Sequence, residues 1–307
     1  MKFSFLAAAF LAAFTIAVAA QMPDPPIKRP KITGISHLGV YTSNAAAADH
    51  FYREILGAAK TTDPENPKGV RYMFSPTQFI EVLPLPAGVG INRLDHVGYN
   101  TDNAEGLRRY LASKAYKTPA AVSKGADGST WFAVVDPEGN KVEFVEPPHL
   151  PKAVVAPNVI GTHIIHAGIM AHSRAVEDTF YRDLLGFRPY WYGGMVEDRI
   201  DWVSQQVPDS HDWLEYMLDV KPGISQHDLG VLNHFSIGVN SVEVAFKTLK
   251  DSGRLVGVDA QEHTQMGRDG KGQFNLFDPD AVRVELMNFH ATEKPCCSGF
   301  TAEDPAE

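Results

Sequence analysis

Cysteine is almost missing: Cys296 and Cys297, side by side near the C-terminus, are the only two in 307 residues. A disulfide framework is thereby excluded, and apolar burial has to hold the core. Neighbouring cysteines seldom bridge each other, because the ring is strained; the pair is expected as two exposed thiols. Excess positive charge is also missing. Lys and Arg number 28 against 37 Asp and Glu, a formal charge of −9, which is the wrong sign for a nucleic-acid-binding face. Long apolar runs are absent with one exception, Phe3 to Val18, preceded by Lys2 and closed by Ala19-Ala20. That is the anatomy of a secretory signal peptide, and it falls short of the roughly 20 residues of a membrane span. Residues 1–20 are expected to be removed on export to the periplasm or beyond. Proline-rich residues 21–31 follow as a linker.

What is present is a repeat. Phe51-Tyr-Arg-Glu-Ile-Leu-Gly57 returns as Phe180-Tyr-Arg-Asp-Leu-Leu-Gly186, and His37-Leu-Gly39 returns as His166-Ala-Gly168, both 129 residues later. A second pair is interleaved. Val135-Asp-Pro-Glu-Gly-Asn-Lys-Val-Glu143 resembles Phe277-Asp-Pro-Asp-Ala-Val-Arg-Val-Glu285, and upstream of each stands a histidine, in Asp95-His96-Val-Gly98 and Asn233-His234-Phe-Ser236. The order is A, B, A, B. Each unit reads as an apolar strand with a histidine, a polar turn suited to a helix N-cap, an amphipathic helix and closing β segments. The first helix is expected over about Ala45 to Leu56, ending at Gly57. Asp136-Pro-Glu-Gly139 has the chemistry of a hairpin turn. Residues 32–147 and 161–290 then form two domains, 148–160 a proline-marked linker, and 291–307 a flexible tail.

Each unit carries one strand histidine and, 44 to 51 residues later, one strand glutamate: His37 and Glu81, His96 and Glu143, His166 and Glu215, His234 and Glu285. Two paired units bring two imidazoles and two carboxylates to one point. That set suits a divalent ion such as Zn, Ni, Co, Mn or Fe(II), whose charge makes buried carboxylates tolerable. Adjacent units can share a site, or the first and fourth can pair; the spacing leaves both open.

These segments resemble the vicinal oxygen chelate superfamily of glyoxalases, bleomycin-resistance proteins and extradiol dioxygenases, over about residues 32 to 290. The resemblance implies an α+β fold in which four βαβββ modules pair into two curled-sheet half-barrel domains. It implies a metal enzyme acting on a small oxygenated substrate. The four-donor set His166, Glu215, His234 and Glu285 matches the glyoxalase pattern, in which a carboxylate moves a proton; Glu215 or Glu285 would be that base. A ring-cleaving dioxygenase is the alternative, with Fe(II) on His166, His234 and Glu285 and with His263 of His263-Thr264 as a catalytic histidine. Against it, no tyrosine follows, only Phe274. A binding protein that sequesters a small molecule is a third reading. Trp131, Trp202 and Tyr216 are candidate pocket walls. The implied partners are a small-molecule substrate and, in oligomeric form, a second copy of the chain, with neither nucleic acid nor membrane. The fourth unit carries Ser236 where the other three carry glycine.

Overall fold

The structure is a computed structural model and describes residues 27–149 and 154–306. The expected signal peptide and most of the first linker lie outside the described residues. Among those described, no helix is long and apolar enough to cross a membrane.

The first unit holds β1 (Ile32–Thr42), helix α1 (Ala45–Asp49) and strands β2 (Ala59–Thr62), β3 (Val70–Ser75) and β4 (Gln78–Pro84). The second holds β5 (Leu94–Thr101), α2 (Ala104–Ser113), β6 (Ser123–Lys124), β7 (Thr130–Val135) and β8 (Lys141–Glu146). The third repeats this with β9 (His163–Met170), α3 (Arg174–Asp178), β10 (Arg188–Gly193), β11 (Trp202–Gln206) and β12 (Trp213–Met217). The fourth has α4 (Gln226–Leu232), β13 (His234–Val239), α5 (Val242–Asp251), β14 (Gln265–Met266), β15 (Gly272–Phe277) and β16 (Arg283–Asn288). Strand order is β2-β3-β4-β1-β5-β8-β7-β6 in one eight-stranded sheet and β10-β11-β12-β9-β13-β16-β15-β14 in the other. Adjacent units therefore pair, through the antiparallel contacts of β1 with β5 and β9 with β13.

The central strands are buried on both faces. Helices cover the convex side, and the concave side encloses polar groups. In α2 the covered residues are Ala104, Leu107 and Leu111, and in α5 Val242, Ala245 and Leu249, each set one stripe of a helix. Asn44, Asn103, Ser173 and Ser241 cap the helices by accepting a backbone N–H three residues on. The first helix has the expected extent but not the expected winding. α1 passes into a π-helical stretch, His50–Ile55, and α3 into another, Thr179–Leu184. The wider winding lets the neighbours Phe51 and Tyr52 both face inward, as Phe180 and Tyr181 do.

The two domains dock by reciprocal contacts. The Gln78 side chain bonds both the N–H and the carbonyl of Ile164 on β9 (2.9 and 3.0 Å). At the matching place Asp212 accepts from the Ile35 N–H on β1 (2.9 Å). The two Asp-Pro turns do more than close hairpins. Asp278 accepts from the Tyr52 hydroxyl (2.8 Å) and Asp136 from that of Tyr181 (3.2 Å). Asp280 caps Ser43 N–H and Glu138 caps Ser173 N–H, so each turn grips the helix start of the other domain. The segment 291–306 does not hang free. The buried Lys271 ammonium sits among Tyr190, Trp213 and Phe300 and donates to Asp304 (2.6 Å), while Thr301 N–H bonds the Tyr190 carbonyl (3.0 Å). Within this packed segment Cys296 and Cys297 are joined as a vicinal disulfide, contrary to the expected pair of free thiols.

The docking face contains one group with no counterpart in the first domain. Glu177, where the first domain has Ala48, is fully buried beside Asp136, with no hydrogen-bond partner among the described residues. Burial, then the neighbouring Asp136 charge, push its pKa up from 4.5 to about 9. The folded protein thus keeps a proton that the unfolded chain releases, so this group's contribution to stability falls as pH rises from about 4.5 to about 9. The Glu177→Gln variant is predicted to flatten that part of the melting temperature against pH curve; identical slopes for the two proteins would refute the assignment.

Candidate metal centres

In the first domain β1 and β5 run antiparallel with His37 opposite Gly98 and Gly39 opposite His96. Each imidazole lies over the glycine of the partner strand, and a Cβ at either glycine would overlap the ring. Relieved of that obstacle, the two Nε2 atoms come within 2.7 Å of each other. Glu81, from β4 beside β1, reaches His96 Nε2 (3.6 Å), and Glu143, from β8 beside β5, reaches His37 Nε2 (3.5 Å). All four are buried. Both rings are oriented from behind: His96 Nδ1 meets the Asp95 carboxylate (2.7 Å) and His37 Nδ1 meets Ser36 Oγ (3.1 Å). The His37 face stacks on Phe79, whose other side carries the Arg71 guanidinium.

The electrostatics fit a divalent cation. Asp63, Glu65, Glu81 and Glu143 crowd together against Arg71 and Lys141, and Glu143 Oε1 is buried without a hydrogen-bond partner. Burial, then Asp63 and the other carboxylates, push Glu81 up to about 10; burial, then Glu65, push Glu143 well up. Burial pushes both histidines down, so their Nε2 lone pairs are free to coordinate. Asp95 behaves otherwise: burial would raise it, but hydrogen bonds from His96, Tyr41 and Lys141 hold it well below the usual carboxylate range. A divalent ion here would neutralise two carboxylates, and the donors and their outer partners are of the right kind. The centre opens into a cavity of about 540 Å3 walled by Tyr41, Leu83 and Trp131, with Lys68 and Lys141 among its polar lining.

The second domain repeats the donors and changes their surroundings. His166 Nε2 and His234 Nε2 are 3.0 Å apart, Glu285 is 3.2 Å from His166, and Glu215 is 3.7 Å from His234. Gly168 lies under His234, but Ser236 faces His166 and pairs in register with Glu285. Burial, then Glu285, push Glu215 up to about 8. For Glu285 burial is outweighed by His166 and Arg283, which hold it low. Arg283 Nη2 stands 2.9 Å from His234 Nε2.

All eight histidines and glutamates singled out in the sequence thus lie in two groups of four. His263 does not join them: it is exposed in the loop between α5 and β14, with no hydrogen bond or ion pair to the second centre among the described residues. Of the aromatics, Trp131 lines the first cavity. Tyr216 follows Glu215 on its strand, so it points to the opposite face and into the core, and Trp202 packs beside the Tyr190–Trp213 cluster. Sequence reasoning missed Asp95, Lys141, Arg71 and Arg283. The signal was available in the contrast of Asp95-His96 and Lys141 with Asn233-His234 and Arg283.

Two curled half-barrels, each enclosing a His2Glu2 cluster, define a class of two-domain metal-binding folds. The family profile described as the Glyoxalase/Bleomycin resistance protein/Dioxygenase superfamily matches residues 34–144 and 172–286, and the chain belongs to that superfamily. Among solved structures, a catechol 2,3-dioxygenase is similar at TM-score 0.65 and 18% identity, covering 86% of this chain and 95% of its own. The Mn(II)-bound glyoxalase from Novosphingobium aromaticivorans gives 0.65 and 16%, covering 88% and 86%. The 2,3-dioxygenase LapB from Pseudomonas sp. KL28 gives 0.62 and 15%, covering 87% and 97%. At these identities the likeness is one of fold. A search of curated protein sequences finds no match.

Asp95 fixes the His96 tautomer from behind, so Asp95→Asn is predicted to weaken binding of a divalent ion by ~10–100-fold, measured by competition with a chelating dye. Unchanged affinity would remove Asp95 from the centre.

Proposed function

We propose that the chain is a divalent-metal-dependent enzyme working at the first centre, on a small substrate with two neighbouring oxygens, by glyoxalase-like proton transfer. The observation that carries this reading is the convergence of His37, Glu81, His96 and Glu143, the last three lining the 540 Å3 cavity. A divalent ion held there would act as a Lewis acid toward two substrate oxygens and stabilise the charge left when a neighbouring carbon loses its proton. His37 and His96 serve only to hold it. Glu143 and Glu81 bring two carboxylates to the same point, and one of them accepts the carbon-bound proton and returns it to the adjacent carbon. Trp131 and Leu83 exclude water from one wall, and the Lys68 ammonium favours a substrate carrying negative charge. The fold shared with a Mn(II)-bound glyoxalase makes Mn(II) the first ion to try, before Zn, Ni, Co and Fe(II).

A ring-cleaving dioxygenase is the second reading. The observation favouring it is the close trio His166, His234 and Glu285, the two-histidine, one-carboxylate set of an Fe(II) site. It requires Arg283 to leave His234.

One experiment separates the two. Chelated protein is reloaded with each ion and given small 2-oxo or 2-hydroxy carbonyl compounds in D2O, and separately catechols with Fe(II). Exchange or transfer of a carbon-bound hydrogen is expected, slowed ~10²–10⁴-fold in Glu143→Gln and lost in His96→Ala. Oxygen uptake with a catechol, abolished by His234→Ala, would favour the dioxygenase; full turnover by chelated protein would contradict both. We also propose export, supported by Lys2 and the apolar run from Phe3 to Val18. The mature protein is then expected to begin at Gln21, and N-terminal sequencing that starts at Met1 would refute cleavage.

A further inference from the structure

We infer that the second centre is not a metal site: the Arg283 guanidinium occupies the His234 Nε2 lone pair that an ion would need. This goes beyond the function proposed above and rests on it only for the ion at the first centre.

The argument begins with one strand rule. Residues two apart on a strand share a face, so Arg283 points to the same concave side as Glu285, as Lys141 does with Glu143. In the first domain that cation is held away from the histidines. The Lys141 ammonium donates to Asp95 (2.9 Å), and the same carboxylate orients His96. In the second domain Asn233 stands in the position of Asp95 and has no charge to offer. Its amide is spent on the Met170 N–H (2.7 Å) and on Asn92 (2.9 Å). The longer Arg283 side chain then turns inward and donates to His234 Nε2 at 2.9 Å. His234 Nδ1 lies against the Leu232 carbonyl (3.1 Å), which places its proton there and leaves Nε2 as a lone pair. That lone pair, the one a metal needs, is occupied by the guanidinium.

A second, independent observation agrees. A coordinating imidazole donates its other N–H to a fixed partner. His37 has Ser36 for this, but the residue before His166 is Ile165, and His166 Nδ1 is buried without a hydrogen-bond partner among the described residues.

The test uses the full chain with Mn(II) as probe, unbound ion removed by gel filtration, and metal counted by mass spectrometry. The unsubstituted protein is expected to retain a single ion, lost in His96→Gln and kept in His234→Gln. Arg283→Met frees His234 Nε2 and removes the hydrogen bond that it accepts from the guanidinium. It is expected to take up a second ion and to melt at a lower temperature than the parent until Mn(II) is added. Two ions in the unsubstituted chain, an ion lost in His234→Gln, or an Arg283→Met variant with unchanged metal content and melting temperature would each overturn the inference. A chain that binds no ion until Arg283 is replaced would contradict the reading of the first centre while upholding this one.

Discussion

The approach of two imidazoles across one antiparallel strand pair is the constraint on which the rest depends. Side chains facing each other on neighbouring strands normally keep their Cβ atoms about 4.5–5.5 Å apart. Here the register is offset, so each ring lies over a residue without a Cβ, Gly98 under His37, Gly39 under His96 and Gly168 under His234. The His-x-Gly spacing is therefore one device rather than a ligand followed by a flexible residue. Ser236, the exception, faces His166 and is in register with Glu285.

Duplication produced two such centres and a reciprocal interface. The Asp-Pro turns cap helix starts in the opposite domain, and Gln78 and Asp212 exchange places as clamps on β9 and β1. Because these contacts involve the backs of the half-barrels, the ligand-bearing concave faces were free to diverge. They did so by small changes: a carboxylate to an amide at Asn233, an ammonium to a guanidinium at Arg283, a hydroxyl to an aliphatic side chain at Ile165. None alters a ligand, and together they change what the site can hold.

Much of this was legible in the sequence. The A-B-A-B repeat, the eight ligand-type residues and the helix caps follow from local pattern, because side-chain period and cap chemistry are local. Three things were not. The π-helical winding at Tyr52 and Tyr181 answers to contacts with Asp278 and Asp136 more than 40 residues away in one case and more than 200 in the other. The tail, expected to be flexible, is anchored by Lys271 through Asp304, a contact between residues 33 apart. The difference between the centres was visible as residue types, but its meaning depends on which way Lys141 and Arg283 turn, which only the surrounding charges decide.

The central claim is that one centre holds the ion and the other holds Arg283. Anomalous diffraction from crystals of the Mn(II)-loaded protein tests it most directly. The account predicts a single Mn peak between His37 and His96, with the Arg283 guanidinium still against His234 Nε2. A peak between His166 and His234, with Arg283 displaced, would contradict it.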